Sequence, residues 1–445
     1  MQYAALRQPA ASDMRCCCGR EECNMQYIDY LTKQPSDKDA IIINGDLYTY
    51  GKLYVLVQDA RARLPQVAEK HLYPIRETGI LKQLVLFLAC AGTNQVPVIV
   101  PADSILEVTD PLFDTPVPER AVMAVMTSGT TGIPKILFRS FESWADFFAI
   151  QNAVFGVDAD SRLFVQGSLA FTGNLNLYMG QLAAGGTLIA EDVFLPGKWE
   201  QVMARERANG IYLIPSKLLM LPRVFKGVNA NIRTIISGSQ SLGRKDAEVL
   251  KKIFPNTEIT LYYGASELNY ITYVKSADMT EERNLIGKPF PGVRVFIQDD
   301  EMYVDNAFHV ENITVPYSLK DSGRMDLQGN FYFLGRTDDI VGVRGRKVSM
   351  MKIENALEEV AGITEAAVVL LPKEKDADMP AEIVSAFVTV EGTDVPENLR
   401  QQLKEKLADF EIPKRVIVLE AFPKNTSGKV DKARLKKMWI EQEPQ

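Results

Sequence analysis

Strands and helices alternate along the middle of the chain, and the alternation predicts an α/β fold. The expected architecture is a large N-terminal layered α/β domain with a small β unit, followed by a small C-terminal α+β domain. Three observations carry this. Over residues 144–263, short apolar runs of strand length take turns with longer helical stretches, the pattern of parallel strands joined by crossover helices. Over 293–334 the repeat shortens to strands and turns, which reads as the β unit. Beyond Gly335 a second compact run of helix and strand signals closes the chain. The expected units are a disordered leader over 1–24, an N-terminal domain over 25–335 and a C-terminal domain over 336–445.

Taken in order, residues 27–64 read as a helix, a hairpin and a helix, with Asn44-Gly45 as the tight turn between two apolar runs. Residues 80–90 are helical in pattern, and 96–100 form a buried-strand run closed by Pro101. The alternating part predicts helices over 144–154, 175–184, 199–208, 217–225 and 244–254. Its strands are expected over 162–166, 187–190, 211–214, 232–237 and 259–263. In the β unit, Asp299-Asp300 and Gly329-Asn330 are turn signals. The last piece predicts helices over 352–360 and 396–409, the second with Pro396 in its first turn, and strands over 366–371, 383–390 and 415–419.

Composition excludes several classes of function. With 445 residues, 46% apolar and 24% charged, the chain has the make-up of a globular protein with a large core. Its formal charge of -7 offers no general attraction to nucleic acid or to an anionic membrane. Any anionic ligand must therefore be held by local groups. No apolar stretch approaches a bilayer span and the first residues lack a signal pattern, so the expected location is cytoplasmic. Four of the five cysteines, Cys16, Cys17, Cys18 and Cys23, crowd the leader, and no second Cys/His cluster completes a zinc set.

The chemistry concentrates at one loop, Thr127-Ser128-Gly129-Thr130-Thr131-Gly132-Ile133-Pro134-Lys135. Glycines let backbone N–H groups approach phosphate oxygens, hydroxyls add donors and lysine adds a point charge. Pro134 before the lysine disfavours a helix at Ile133, unlike the Walker loop. Taken alone, the stretch also reads as a polar surface turn. The segments Ser237-Gly238-Ser239 and Tyr263-Gly264-Ala265-Ser266-Glu267 fall at the carboxyl ends of predicted strands, where ligands bind in open parallel sheets.

With these stretches in order, the chain resembles the adenylate-forming superfamily of acyl-CoA synthetases, carrier-protein adenylation domains and luciferases. The phosphate loop matches the family's in full. Tyr263-Gly264-Ala265-Ser266-Glu267 resembles its Tyr-Gly-x-Thr-Glu, and Leu319-Lys320-Asp321 keeps the aspartate of its Thr-Gly-Asp. Gly335-Arg336-Thr337-Asp338-Asp339 and Pro423-Lys424-Asn425-Thr426-Ser427-Gly428-Lys429 resemble its two C-terminal signatures.

The resemblance implies ATP, Mg²⁺, a carboxylic acid, and a thiol acceptor, either coenzyme A or the phosphopantetheine of an acyl carrier protein. By the same resemblance Thr127, Ser128, Gly129, Thr130, Thr131 and Lys135 serve the β- and γ-phosphates, and Ser266 donates to the α-phosphate. Glu267 holds the magnesium. Tyr263 stacks on adenine with help from Ser239 and Gln240, while Asp321 and Arg336 hold the ribose. Lys429 is the catalytic lysine of a mobile C-terminal lid that turns about Asp338. Phe171, Thr172, Ser237, Gly238 and Gly264 border the acid. As simple structural alternatives, Glu267 reads as a first-turn helix carboxylate, Asp321 as a turn residue and Lys429 as a solvated charge.

Departures from the family pattern bear on the substrates. Amino-acid-activating members carry aspartate where this chain has Thr172, so an α-ammonium would lack an ion partner. The two histidines, His71 and His309, supply no gate near Ala170-Phe171. The series Phe171, Leu175 and Tyr178 suggests an apolar pocket, or else core packing. The expectation is a non-amino acid, fatty or aromatic. The cationic stretch Val343-Arg344-Gly345-Arg346-Lys347 suits a phosphate-bearing thiol donor. Alternatives are an adenylation enzyme loading an amino acid on a carrier protein, and a non-catalytic nucleotide-binding scaffold. A serine hydrolase is disfavoured by the absence of Gly-x-Ser-x-Gly.

Overall fold

The β-branched and aromatic runs of the middle chain assemble into one sheet of thirteen strands. The computed structural model describes residues 26–102, 104, 106–127, 134–336, 340–343, 346–373, 382–392, 394–424 and 430–441. The expected leader and its four cysteines lie outside them. At the centre of the sheet run parallel strands, in spatial order Glu258–Ala265, Thr234–Gly238, Gly210–Tyr212, Arg162–Gln166, Thr187–Glu191 and Asp39–Ile43. Because both faces are covered, alternate residues enter different cores. Leu163 and Val165 pack with the helices Phe147–Phe155 and Thr172–Ala184, whereas Phe164 packs with Trp199 and Leu250 on the opposite side.

The hairpin at Asn44-Gly45 forms as expected, with both residues at positive φ (53° and 93°). Asp299 and Asp300 form the second such turn, also at positive φ. The β unit joins the main sheet edge to edge. Asn269–Lys275 pairs antiparallel with Glu258–Ala265, and Leu285–Pro289 then links to Phe331–Arg336, Tyr317–Met325, Glu301–Asp305 and Arg294–Gln298. A separate four-stranded sheet holds His71–Ile75, Gln95–Ile99, Ala121–Thr127 and, antiparallel, Lys135–Ser140. In the C-terminal part, Ile363–Pro372, Glu382–Val390 and Arg415–Val418 form a sheet. Helix Met350–Glu358 covers one face of it, and Leu435 of helix Lys432–Glu441 packs on the other. Among the described residues no helix is long and apolar enough to cross a membrane.

Several elements differ from expectation, each for a local reason. The helix expected over 217–225 is two short helices, Pro215–Leu218 and Leu221–Val224. Pro222 lacks an N–H and is tolerated only in a first turn, so the second helix starts anew at Leu221. The helix over 144–154 divides at Asp146 into Phe141–Ala145 and Phe147–Phe155. Pro396 lies ahead of its helix, Leu399–Lys404, and its carbonyl accepts the Leu399 N–H at 3.0 Å. Strand His71–Ile75 escapes notice because Pro74 breaks its pattern, as an edge strand permits.

Glu358 ends the helix Met350–Glu358 and accepts the Ala366 N–H at 3.2 Å. Burial pushes its carboxyl up to about 7 against the opposing charge of Arg283. Between the ordinary value of 4.5 and about 7, the folded carboxyl keeps a proton that the unfolded one has lost. Stability therefore falls as pH rises through that window. Glu358→Gln keeps the acceptor without the charge. It is expected to raise unfolding stability by about 1–2 kcal/mol at pH 8 and to change little at pH 4, read by denaturant titration.

Candidate active site

The stretch read as a phosphate loop lies between two paired antiparallel strands, and Lys135 opens a strand rather than a helix. Thr127 ends one strand and pairs in register with Lys135, which is exposed and begins the next. Ser128, Gly129, Thr130 and Thr131 lie outside the described residues, as do Asp338 and Lys429. Four residues beyond Lys135, in the same strand, stands Arg139, whose side chain is fully buried. Its guanidinium donates to Ser266 O at 2.7 Å, Phe308 O at 2.9 Å and Ser143 O at 3.2 Å. Burial pushes its pKa down to about 10, and the Glu267 carboxylate opposes the shift. Backbone bonds reinforce the tie, since Glu311 N–H donates to Phe138 O at 2.8 Å and Val310 N–H to Glu267 O at 2.9 Å. The phosphate-loop hairpin and the Ser266-Glu267 turn are thus held as one piece.

That turn joins two antiparallel strands, Glu258–Ala265 and Asn269–Lys275. Glu267 is therefore not in a first helical turn. A bulge after Tyr263 brings Gly264 so close to the returning strand that a Cβ there would lie 2.6 Å from Asn269 O. The Ser266 hydroxyl meets the Thr172 hydroxyl at 3.0 Å. Thr172 begins the helix Thr172–Ala184, and Phe171 is its N-cap residue.

On the other side of the turn, the Tyr263 hydroxyl donates to Asp321 Oδ2, and Arg336 Nε stands 3.5 Å from Asp321 Oδ1. Asp321 and Arg336 face each other in register across Tyr317–Met325 and Phe331–Arg336, so Asp321 is a strand residue and not a turn residue. Burial and the Asp321 charge hold the Tyr263 phenol neutral, well above its ordinary pKa. Its ring packs on Phe333, with centroids 5.8 Å apart.

Ser239 sits at positive φ (69°) just beyond the strand Thr234–Gly238 and bonds the Tyr262 phenol. The Gln240 side chain accepts the Ser216 N–H at 2.9 Å. Ser237 is fully buried and its hydroxyl donates to Leu213 O at 2.7 Å. The structure therefore gathers Thr172, Ser266, Tyr263, Asp321 and Arg336 around one turn. In the C-terminal part, Gly342 pairs with Lys347 across a hairpin and Arg346 stacks on Phe410 at 4.8 Å.

Arg139 and the tyrosines Tyr212 and Tyr262 belong to no signature, and the sequence reading passed over them. Arg139 does leave one trace, a charge directly after the apolar run Ile136-Leu137-Phe138. The two tyrosines, whose hydroxyls are 2.8 Å apart, are fifty residues apart in sequence and leave none.

Comparisons with known proteins agree with this layout. The family profile described as AMP-binding enzyme matches residues 101–307, and that of the AMP-binding enzyme C-terminal domain matches 352–429. YhfT of Bacillus subtilis, an uncharacterised acyl-CoA ligase, is 26% identical over 394 residues, which is 83% of this chain and 80% of the relative. Among solved structures, ATP-bound MatB from Rhodopseudomonas palustris matches with a TM-score of 0.79 at 20% identity, over 94% of this chain and 99% of that one. O-succinylbenzoate coenzyme A synthetase (MenE) from Bacillus subtilis, solved with ATP and magnesium, matches with a TM-score of 0.77 at 16% identity, over 93% and 99%. The chain belongs to the adenylate-forming, AMP-binding superfamily. Within it, it is an enzyme of the acyl-CoA ligase type.

Arg139→Met would leave three carbonyl acceptors without their donor in a buried setting. The expected loss is about 3–5 kcal/mol of unfolding free energy, measured by chemical denaturation against the native chain.

Proposed function

We propose that this enzyme activates a non-amino carboxylic acid as its acyl-adenylate, with release of pyrophosphate, and then passes the acyl group to a thiol with release of AMP. The observation that carries the reading is the contact of Thr172 with Ser266 beside the Tyr263, Asp321 and Arg336 cluster. A residue of the acid side and a residue of the phosphate side touch there, so a carboxylate and an α-phosphate would meet at one place.

The division of labour follows from the residue types. The Asp321 carboxylate accepts from ribose hydroxyls, and Arg336 keeps it oriented. The Ser266 hydroxyl donates to an α-phosphate oxygen, while Thr127, Ser128, Gly129, Thr130, Thr131 and Lys135 draw charge toward the β- and γ-phosphates. Lys429 bridges the attacking carboxylate and the α-phosphate, and the lid over 336–445 turns about Asp338 to bring the thiol in for the second step. Among the described residues no group of three or more His, Cys, Asp or Glu forms a metal cage. Magnesium keeps waters and nucleotide oxygens and takes few protein carboxylates, and the carboxylate that would hold it is Glu267. When bound, the ion neutralises phosphate charge.

Thr172 favours an acid without an α-ammonium, because no carboxylate stands at that position to pair with it. The acceptor thiol is that of coenzyme A or of a carrier protein's phosphopantetheine, and the naming of YhfT as an acyl-CoA ligase favours coenzyme A.

The native chain is expected to release pyrophosphate from ATP only when a suitable acid is added, and to form AMP in step with consumption of the free thiol of coenzyme A or of a phosphopantetheine-bearing carrier protein. Lys429→Ala should slow pyrophosphate release about a hundredfold to a thousandfold while ATP binding persists. Acid-independent cleavage to ADP, or full activity in the variant, would refute the reading.

A further inference from the structure

Two tyrosines stand where the tail of the acid would lie. Tyr212 ends the strand Gly210–Tyr212, Tyr262 lies near the carboxyl end of Glu258–Ala265, and both are buried. Their strands flank Thr234–Gly238 on either side. Tyr262 pairs in register with Gly238, and a Cβ on Gly238 would lie 2.4 Å from the Tyr262 ring. The ring thus takes the space of the side chain that Gly238 lacks.

The two rings are 16° from parallel with centroids 6.5 Å apart, and their hydroxyls share a hydrogen bond of 2.8 Å. Both hydroxyls press on the start of the helix Thr172–Ala184. A Cβ on Gly173 would lie 2.6 Å from the Tyr212 hydroxyl and 2.8 Å from that of Tyr262. Gly173 follows Thr172, whose hydroxyl is 3.0 Å from Ser266. Consecutive Cα atoms are about 3.8 Å apart, so a wall of phenols stands one residue beyond the point where carboxylate and α-phosphate would meet.

The wall cannot retreat easily. Tyr262 packs on Tyr270 at 4.5 Å and Phe155 at 5.9 Å, and Tyr270 stacks on Phe290 at 5.7 Å. Close-packed aromatic cores do not yield space without loss of contact. A methylene pushed against the paired hydroxyls would also strip buried donors of their partner.

We infer that the Tyr212–Tyr262 pair closes the acid pocket after a few carbon atoms, so that this enzyme activates short carboxylic acids and excludes long-chain fatty and aryl acids. The inference rests on the adenylation reading above and narrows its substrate class. It departs from the fatty or aromatic acid suggested by Phe171, Leu175 and Tyr178, because the paired phenols stand against Gly173 at the start of the helix that carries Leu175 and Tyr178.

The test is acid-dependent exchange of pyrophosphate into ATP with acetate, propanoate, butanoate, malonate, octanoate, palmitate and benzoate, for the native chain, Tyr262→Ala and Tyr262→Phe. The native chain should favour the short acids, with kcat/KM falling at least about tenfold from the best of them to octanoate and benzoate. Tyr262→Ala should raise octanoate relative to butanoate at least about tenfold, whereas Tyr262→Phe, which keeps the ring, should retain the limit. If Tyr262→Ala fails to fold, Tyr212→Leu and the native series carry the test. Exchange with octanoate, palmitate or benzoate equal to that with the best short acid would overturn the size limit and leave adenylation standing. An unchanged octanoate-to-butanoate ratio in a folded Tyr262→Ala would do the same. No exchange with any acid, by protein that binds ATP, would overturn the adenylation reading and this inference with it.

Discussion

A guanidinium taken wholly out of water fixes the geometry on which the rest of the site depends. Arg139 reaches the carbonyls of Ser143, Ser266 and Phe308 from the strand that begins at Lys135. An isolated charge at such a place would be prohibitive, and it is tolerated here because its two Nη atoms donate to three carbonyls and Glu267 lies near, although Nε has no partner among the described residues. Two stretches to which we assign opposite ends of a triphosphate are thereby joined through backbone. A flexible tether between them would not hold the donors in advance, and preorganised donors are what an electrostatic site needs.

Asp321 is organised by the same logic on the other side of the turn. It is nearly buried, it takes the Tyr263 hydroxyl, and Arg336 faces it across the strands. The carboxylate is thus set in direction by the Tyr263 phenol, which burial and the Asp321 charge hold neutral, and by the guanidinium of Arg336 opposite. The two tethers leave Ser266 and Thr172 between them, facing each other. Chemistry that joins a carboxylate to a phosphate needs such a place, where two reactants are drawn together and most water is displaced.

How far the sequence could be read depended on whether a feature was local. The alternation of strands and helices was plain in the runs around Leu163-Phe164-Val165 and Ile235-Ile236, because strands covered on both faces write themselves as unbroken apolar runs. Asn44-Gly45 and Asp299-Asp300 were readable because positive φ selects those residues. Pro222 was misread as helix interior, although its missing N–H demands a first turn. The alternative that reads Glu267 as a first-turn helix carboxylate fails because the pairing of Glu258–Ala265 with Asn269–Lys275, which sets the turn, is a tertiary fact. The stretch 127–135 and the turn carrying Ser266 were each legible as motifs, from residue chemistry and by resemblance, but not their joining. The bond between them passes through Arg139 to carbonyls 127 and 169 residues away, and carbonyls are the same in every residue. The Tyr212–Tyr262 contact was unreadable for a like reason, since its partners share a site only after three strands align.

The central claim is that the carboxylate attacks the α-phosphate, and isotope transfer tests it most directly. An acid that supports turnover, labelled with ¹⁸O in its carboxylate, would be incubated with ATP, magnesium and the thiol acceptor, and the products weighed by mass spectrometry. The account predicts one labelled oxygen in AMP and none in pyrophosphate. Label in orthophosphate, with ADP as the nucleotide product, would mean that the γ-phosphate is attacked and would contradict the roles given to Ser266, Asp321 and Lys429.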